Sequence, residues 1–365
     1  QFDSVPYISN NAKLQKPETL LTPEFLQKEF IHRGLLRISI ALNVYLDGFK
    51  PFGFHLLSLA FHILNALLLF FIFEKSFQRF HLSALGWGNN RIRSISFFAA
   101  VLFLCHPIQT ESVIYIMSRS EVMASTFYLI GFLLFQQLLE RTSTSGLQYF
   151  FYFLIIILII LLGFSVKQIV ATLPASMIFY YFFSCPDNSP AWQFLKKWKW
   201  PLLVICSALA SLFFYKLFTD EAFLVGPSRT DQMVGRVKYM LSQPYVIIFY
   251  YLKKIFFPIN LNIDPDIEVV TNFLSPSFLI PALCIFFLLV GSFRVFKNRI
   301  ILFFLCWFFI ILSPSSSIVT LHDLAAEHRI YLASAGVFIL LAYWVSEVSC
   351  KWGKSQSLQI ILICC

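Results

Sequence analysis

Residues 54–73 read FHLLSLAFHILNALLLFFIF, a run without a single Asp, Glu, Lys or Arg. Crossing the hydrocarbon core of a bilayer takes about 20 apolar residues in helical form, and this run has that length. Working outward with the same ruler, further apolar stretches recur near 94–105, 122–139, 148–166, 169–183, 201–218, 278–293, 300–312 and 330–345, with another starting near 358. The reading is an all-α integral membrane protein, a multi-helix bundle with about ten spans in view. Composition agrees: of 365 residues 58% are hydrophobic and 13% charged, mean hydropathy is +0.74, and 44 residues are Phe. An ordinary soluble globule carries about twice that charged fraction.

The formal charge of +9 does not point to nucleic acid, because the 28 Lys and Arg are scattered among short loops between apolar stretches. Basic loops of that kind orient a membrane protein with its positive side in the cytoplasm. Lys75, Arg79, Arg91 and Arg93 mark one inner loop, Lys196, Lys197 and Lys199 a second, Arg294, Lys297 and Arg299 a third, and Lys351 with Lys354 a fourth. Parity is kept when the amphipathic stretch 237–257, broken at Gln243-Pro244 and closed by Lys253-Lys254, lies against the outer face instead of crossing. The outer face then collects 1–53, 106–120, the turn around Lys167, 219–276 and 313–329. In the first of these, Thr22-Pro23-Glu24 reads as an N-cap, a first-turn proline and a carboxylate at the positive end of a short helix.

Eight cysteines form no CxxC pair and no Cys/His metal spacing, so they indicate no redox compartment. The chain opens at Gln1 without Met and stops at Cys365 inside an apolar run, and both ends read as cut. The organisation expected is an outer-face segment 1–53, with an acidic motif and an amphipathic helix, followed by a multi-span membrane domain 54–365 that contains the outer loop 219–276.

Polar clusters gather on the outer side: Asp3 with Ser4, Arg33 with Arg37, His106 to Glu111 with Arg119, Lys167 with Gln168, and Glu327-His328-Arg329 with Tyr331. An ionisable group at the edge of an apolar segment is costly to desolvate, so pairing or function must compensate. Each cluster has a plainer account as well. Arg33 and Arg37 fit interfacial snorkelling, and His55 and His62 fit packing histidines. His106-Pro107 fits a helix end, and Glu327-His328-Arg329 fits a charged loop before the next span.

The strings FDSVPYISNN, RGLLRISIALNVYLDGFKPFGFHLLSLAFHILNALLLF, HPIQTESVIYIMSRSEVMASTFYL, KQIVATLPA, SQPYVIIFYYLKKIFFPINLNID and AEHRIYLASAG occur in that order. Together they resemble the membrane portion of the transmembrane O-mannosyltransferases that carry tetratricopeptide repeats, and of their bacterial relatives. HPIQTESV and AEHRIYL are the most specific of these strings. The resemblance implies a GT-C glycosyltransferase fold, with one more span before the acidic motif, about eleven in all, and repeats after the last. It implies transfer of a mannose-like hexose from a polyprenyl-phosphate carrier to a protein Ser or Thr hydroxyl or to a glycan, by inversion. The site would face the periplasm from a bacterial inner membrane, or the lumen from the endoplasmic reticulum membrane. Partners are then membrane lipid, the lipid-linked donor and the acceptor, with no nucleic acid.

Matched to that family's Asp-Asp-x-x-Tyr-Ile pattern, Asp3 holds the first acidic position, with Tyr7 and Ile8 in place and Ser4 instead of the second acid. By resemblance Asp3 is the general base that removes the acceptor's proton. Arg33 matches an arginine of the family, with Gly34 where proline is usual. Lys167 matches its lysine, with Gln168 in place of glutamate. The leaving polyprenyl phosphate gains charge as its bond to the sugar breaks, and cations aimed at it favour the transition state. Arg329 is the first candidate because a guanidinium fork grips phosphate at two points, followed by Lys167, Arg119 and Arg33, with His328 assisting or positioning. Glu111 and His106, with Glu327 and Tyr331, are placed on the sugar or the acceptor; for Glu111 three roles stay open, binding sugar hydroxyls, orienting the acceptor, or pairing with Arg119. Asp3, Glu111 and Glu327 are the carboxylates from which a metal site could be built, but three acids far apart in sequence are weak evidence for one, so no metal and no cofactor is assigned and dependence on a divalent metal stays open. Two other readings share these features: a transporter or flippase of lipid-linked substrates, and a non-catalytic relative of the transferase.

Overall fold

A computed structural model describes residues 33–80, 88–141, 146–184, 235–295, 299–316, 321 and 323–351. Among these residues every regular element is a helix. The candidate base Asp3, the helix expected after Thr22, and the apolar stretches 201–218 and 358 onward lie outside them.

The chain divides into two compact units, 1–177 with 327–365 and 178–326. The first unit holds α1 (Gly34–Asp47), α2 (Pro51–Arg79), α3 (Asn89–Cys105), α4 (Thr110–Ile114), α5 (Arg119–Glu140), α6 (Gly146–Phe164) and α12 (Ser334–Lys351), together with the opening residues of α7 (Leu173–Ser184). The second holds the rest of α7, α8 (Arg236–Tyr245), a π-helix (Val246–Leu252), α9 (Lys253–Phe256), α10 (Pro276–Val295) and α11 (Arg299–Leu312).

In the first unit α2 packs against α3 and α5, α5 against α6, and α12 against α3. Leu69, Ile72, Phe73, Ala99, Phe103, Val122, Leu129 and Phe132 are buried between them. Association of apolar helices in lipid depends on close packing and on polar clasps between helices. Both are present. Asn65 Nδ2 donates to Val122 O at 2.8 Å while its Oδ1 accepts from Thr126 Oγ1 at 2.7 Å. One end of the bundle is held by Gln136 Nε2 donating to Ser76 Oγ, and by Lys75 with Glu140 at 2.5 Å. Gly131 and Gly163 bring helices together: a Cβ on Gly163 would lie 2.9 Å from Phe127 Cβ. By contrast α6 buries only Ile156 and Gly163, so nearly its whole Ile/Leu/Phe surface faces outward, as a lipid-facing helix does.

The count of spans differs from the expectation. Among the described residues three helices are long and apolar enough to cross a membrane, Pro51–Arg79, Ile116–Glu140 and Gly146–Phe164. A fourth is reached only if Asn89–Cys105 and Pro107–Ile114, bent by 52°, form one span. This is not ten. Gln168–Ser184, Pro276–Ser292, Arg299–Leu312 and Ser334–Ser349 are apolar but shorter. The reason is length: at about 1.5 Å rise per residue a helix such as Arg299–Leu312 reaches roughly 21 Å, short of a core about 30 Å thick. Apolar composition counted residues that the backbone spends on turns. The stretch from Val166 to Thr172, for instance, is a turn and a 3-10 helix between α6 and α7.

In the second unit α8 carries Pro244 in its last turn. Proline has no N–H to give to the preceding turn, and the helix widens at once into the π-helix Val246–Leu252, an insertion that relieves such a break. Tyr239 Oη donates to Ser315 O at 2.6 Å, Gln243 Nε2 to Leu324 O at 3.2 Å, and the Val270 amide to Ser242 Oγ at 2.9 Å. These bonds tie the extended stretch 257–275 and the residues after α11 to one helix.

Candidate functional site

At one end of the first unit α3 stops where His106 turns extended. Pro107 occupies the next helical position, where a missing N–H costs nothing. His106 Nδ1 accepts from the Ile108 amide at 3.2 Å, and its ring lies against Phe338 at 4.8 Å. A 3-10 turn, Pro107–Gln109, then leads to the single-turn α4, which carries Glu111, and a second 3-10 turn, Ile116–Ser118, leads into α5 with Glu121 in its first turn. Carboxylates suit helix N-termini, where amides point outward without partners.

The segment before α12 supplies the other side. Glu327–Ile330 forms a 3-10 turn packed against α4 and against Pro107–Gln109. Tyr331 anchors it: the phenol is fully buried, 2.7 Å from His62 Nδ1, and it accepts from Asn65 Nδ2 at 3.1 Å. Gln109 Nε2 donates to Ser334 Oγ at 3.0 Å. With the turn pinned, the His328 amide donates to Glu111 Oε2 at 2.9 Å and His328 Nδ1 lies 2.5 Å from Glu111 Oε1. His328 Nε2 stands 4.0 Å from Glu121 Oε1, too far for a direct hydrogen bond.

Lys167, between α6 and α7, closes the cluster by an ion pair from Nζ to Glu121 Oε1. Burial lowers the affinity of this ammonium for its proton; Glu121 works the other way, and the nearby charges of Arg33 and Arg329 lower it further. Glu111, Glu121, Glu327 and Arg329 are all buried, while the His328 and Lys167 side chains each remain 21% exposed. The arrangement is a row, Lys167, Glu121, His328, Glu111, in which the basic members are partly exposed and the carboxylates enclosed.

Arg33 is exposed and holds a left-handed backbone (φ 62°) just before α1, with the Arg37 amide donating to its carbonyl at 3.0 Å. A proline at the next position would push Arg33 toward an extended conformation, so Gly34 permits this entry into the helix. Arg119 is wholly enclosed and points elsewhere: Nη1 donates to Ser39 O at 3.3 Å, Nη2 to Phe54 O at 3.0 Å, and the guanidinium lies over the Phe54 ring at 5.3 Å. No bond joins it to Glu111, whose two oxygens are both taken by His328.

The fold therefore brings together Glu111, Lys167, His328 and Arg329, sets Arg33 beside them, and leaves Arg119, His106 and Tyr331 in packing or capping positions. Glu121 was not singled out from the sequence, although it lies in the quoted string HPIQTESVIYIMSRSEVMASTFYL. Its signal was an acid in the first turn of an otherwise apolar helix. Among the described residues no group of three or more His, Cys, Asp or Glu is arranged to hold a metal ion.

Apolar helices of membrane length, with a row of charged groups held at one end of the first unit, make this chain a membrane protein whose described residues form helices around an ionic cluster. It is a distant, partial homologue of the TMTC protein O-mannosyl-transferases. The chain is 32% identical to the protein O-mannosyl-transferase TMTC1 of Mus musculus over 110 residues, 30% of this chain and 10% of that protein. It is 33% identical to TMTC2 of Mus musculus over 128 residues, 35% and 13%, and 27% identical to TMTC4 of Homo sapiens over 158 residues, 40% and 21%. The matched part thus spans only about a tenth to a fifth of these curated relatives. No family model and no solved structure matches the chain.

Proposed function

We propose that this chain is the membrane part of a glycosyltransferase that moves a hexose, mannose by the relatives' names, from a polyprenyl-phosphate carrier to a Ser or Thr hydroxyl or a glycan outside the cytoplasm. The observation that carries the reading is the gathering of Lys167, Arg329 and Arg33 around one enclosed row of carboxylates, within a chain homologous to O-mannosyl-transferases. Cations clustered at a helix end beside apolar surface suit a ligand that joins a phosphate to a lipid tail.

In the transfer, the acceptor oxygen forms a bond to the anomeric carbon as the bond from that carbon to the phosphate oxygen breaks. The electron pair leaves with the phosphate, and inversion follows from attack opposite the leaving group. The acceptor's proton goes to a base, the part that the resemblance gives to Asp3. Arg329 faces the departing phosphate with two-point geometry, Lys167 adds charge to it, and Glu327 stands next to Arg329 in the same turn.

Purified full-length protein in lipid nanodiscs, offered a panel of polyprenyl-phosphate sugars with peptide and glycan acceptors, tests the reading. Sugar transfer is expected, with Asp3→Asn slower by about 10²–10⁴ and Arg329→Lys inactive despite its charge, because an ammonium has no planar fork. Donor binding without transfer to any acceptor would favour a flippase or a non-catalytic relative instead.

A further inference from the structure

Glu121 stands between two possible counter-charges. Lys167 holds its Oε1 now, and His328 Nε2 waits 4.0 Å from that same oxygen. Glu111 accepts from both the amide and the ring of His328, so Nδ1 is the donor, and in a ring without a second proton Nε2 presents its lone pair toward Glu121. A lone pair facing a carboxylate gains nothing. A second proton on the ring would turn the same geometry into a charge-assisted contact, with the imidazolium held between two carboxylates.

An enclosed carboxylate tolerates loss of its partner only if another positive charge arrives or the acid itself is protonated, and here an imidazole already stands within 4.0 Å to supply the charge. Lys167 is therefore not available to an anion while Glu121 has no replacement. We propose that Glu121 is a shared counter-ion: when a phosphate-bearing ligand draws Lys167 away, His328 takes up one proton at Nε2 and replaces Lys167 on Glu121. The bookkeeping closes. Lys167 stays protonated and moves from a carboxylate to a phosphate, the proton comes from solvent, and Glu121 ends paired with an imidazolium. The ligand class rests on the glycosyltransferase reading, whereas the exchange rests on the geometry alone.

Charged groups of both signs lie around His328. Glu111 from α4 and Glu121 from α5 are carboxylates within 4.0 Å of its ring, and Glu327 lies in the same turn. Lys167 is paired with that Glu121, and Arg329 and Arg33 lie near enough to Lys167 to act on its charge. The segment Pro107–Gln109, also packed against the turn, has no ionisable side chain, and His106 before it is turned to the Ile108 amide. Movement of Lys167 toward a phosphate removes one of the nearby cations.

Calorimetric titration of the full chain in nanodiscs with a polyprenyl phosphate, in two buffers of different ionisation enthalpy, measures the coupling. About one proton per ligand should be taken up near pH 8, less near pH 5, and Kd should weaken by up to about tenfold per pH unit on the alkaline side. His328→Gln should take up no proton near pH 8 and lose the alkaline weakening of Kd, an outcome that a purely structural histidine would not give. Glu121→Gln should bind more tightly than wild type at pH 8, because Lys167 is released in advance. Inorganic phosphate as a second titrant separates the sources: uptake with both ligands, or with the lipid alone, assigns a lipid headgroup site, and uptake with inorganic phosphate alone a free-phosphate site. Binding without proton uptake in wild type, or uptake that persists in His328→Gln, overturns the proposal. Sugar transfer is not measured in these titrations, so coupled uptake in a protein that never transfers sugar would leave the exchange standing and remove only the transferase reading.

Discussion

Arg119 and His106 show how a functional-looking side chain is used up by structure. Arg119 is enclosed, and its donors hold the carbonyls of Ser39 and Phe54, which fixes α1 and the start of α2 against α5. Arg119→Lys cannot span both carbonyls from one ammonium. It should lower stability by about 1–3 kcal/mol, read as a fall in Tm in detergent, with polyprenyl phosphate affinity unchanged. Weaker phosphate binding at unchanged Tm would return Arg119 to the donor site. His106→Ala removes the acceptor for the Ile108 amide, and a loss of about 0.5–2 kcal/mol is expected, with kcat kept. Glu121 differs from both, because it has two basic neighbours, Lys167 and His328, and each is partly exposed.

At the scale of elements the glycines of α5 and α6 rank themselves. A Cβ on Gly163 would lie 2.9 Å from Phe127 Cβ and 3.0 Å from both methyls of Val170, atoms held close to their backbones. A Cβ on Gly131 would meet Leu173 Cδ2 at 2.8 Å, the far end of a flexible chain that can swing aside. Gly163→Ala should therefore destabilise by about 1–3 kcal/mol and Gly131→Ala by less, as thermal unfolding of the two purified variants would show. Val170 follows directly on the Lys167 turn, so Gly163→Ala should also reduce phosphate affinity. Equal stability of the two variants would mean that α6 packs less closely than the contacts at Gly163 require.

For the whole molecule, the basic residues Arg91 and Arg93 lie at one end of α3, and Cys105 beside the ionic site lies at the other. The positive-inside rule puts the first end in the cytoplasm and the site end outside. Cys105 is exposed and already present. In a background without the other cysteines, an impermeant maleimide should label Cys105 only from the outer side, and a cysteine replacing the exposed Ser94 only from the cytoplasm. The reverse pattern would place the cluster with the cytoplasmic enzymes and remove the case for an external acceptor.

Helical class and membrane setting were determined by the sequence alone, because apolar runs such as 54–73 allow no other placement of their backbone polar groups. Local signals also sufficed for the helix stop at His106-Pro107 and for the break near Pro244. The number of spans was not legible: hydropathy counts apolar residues, whereas crossing depends on unbroken helical length, which turns such as that around Lys167 interrupt. Nor could the sequence pair the charges. Glu111 was as free to meet Arg119 as His328 until the Glu327–Ile330 turn, pinned through Tyr331 to His62 and Asn65, set the histidine against it. Glu121 gained its place in the same way, because contacts between residues 46 and 207 positions apart form only when the helices pack.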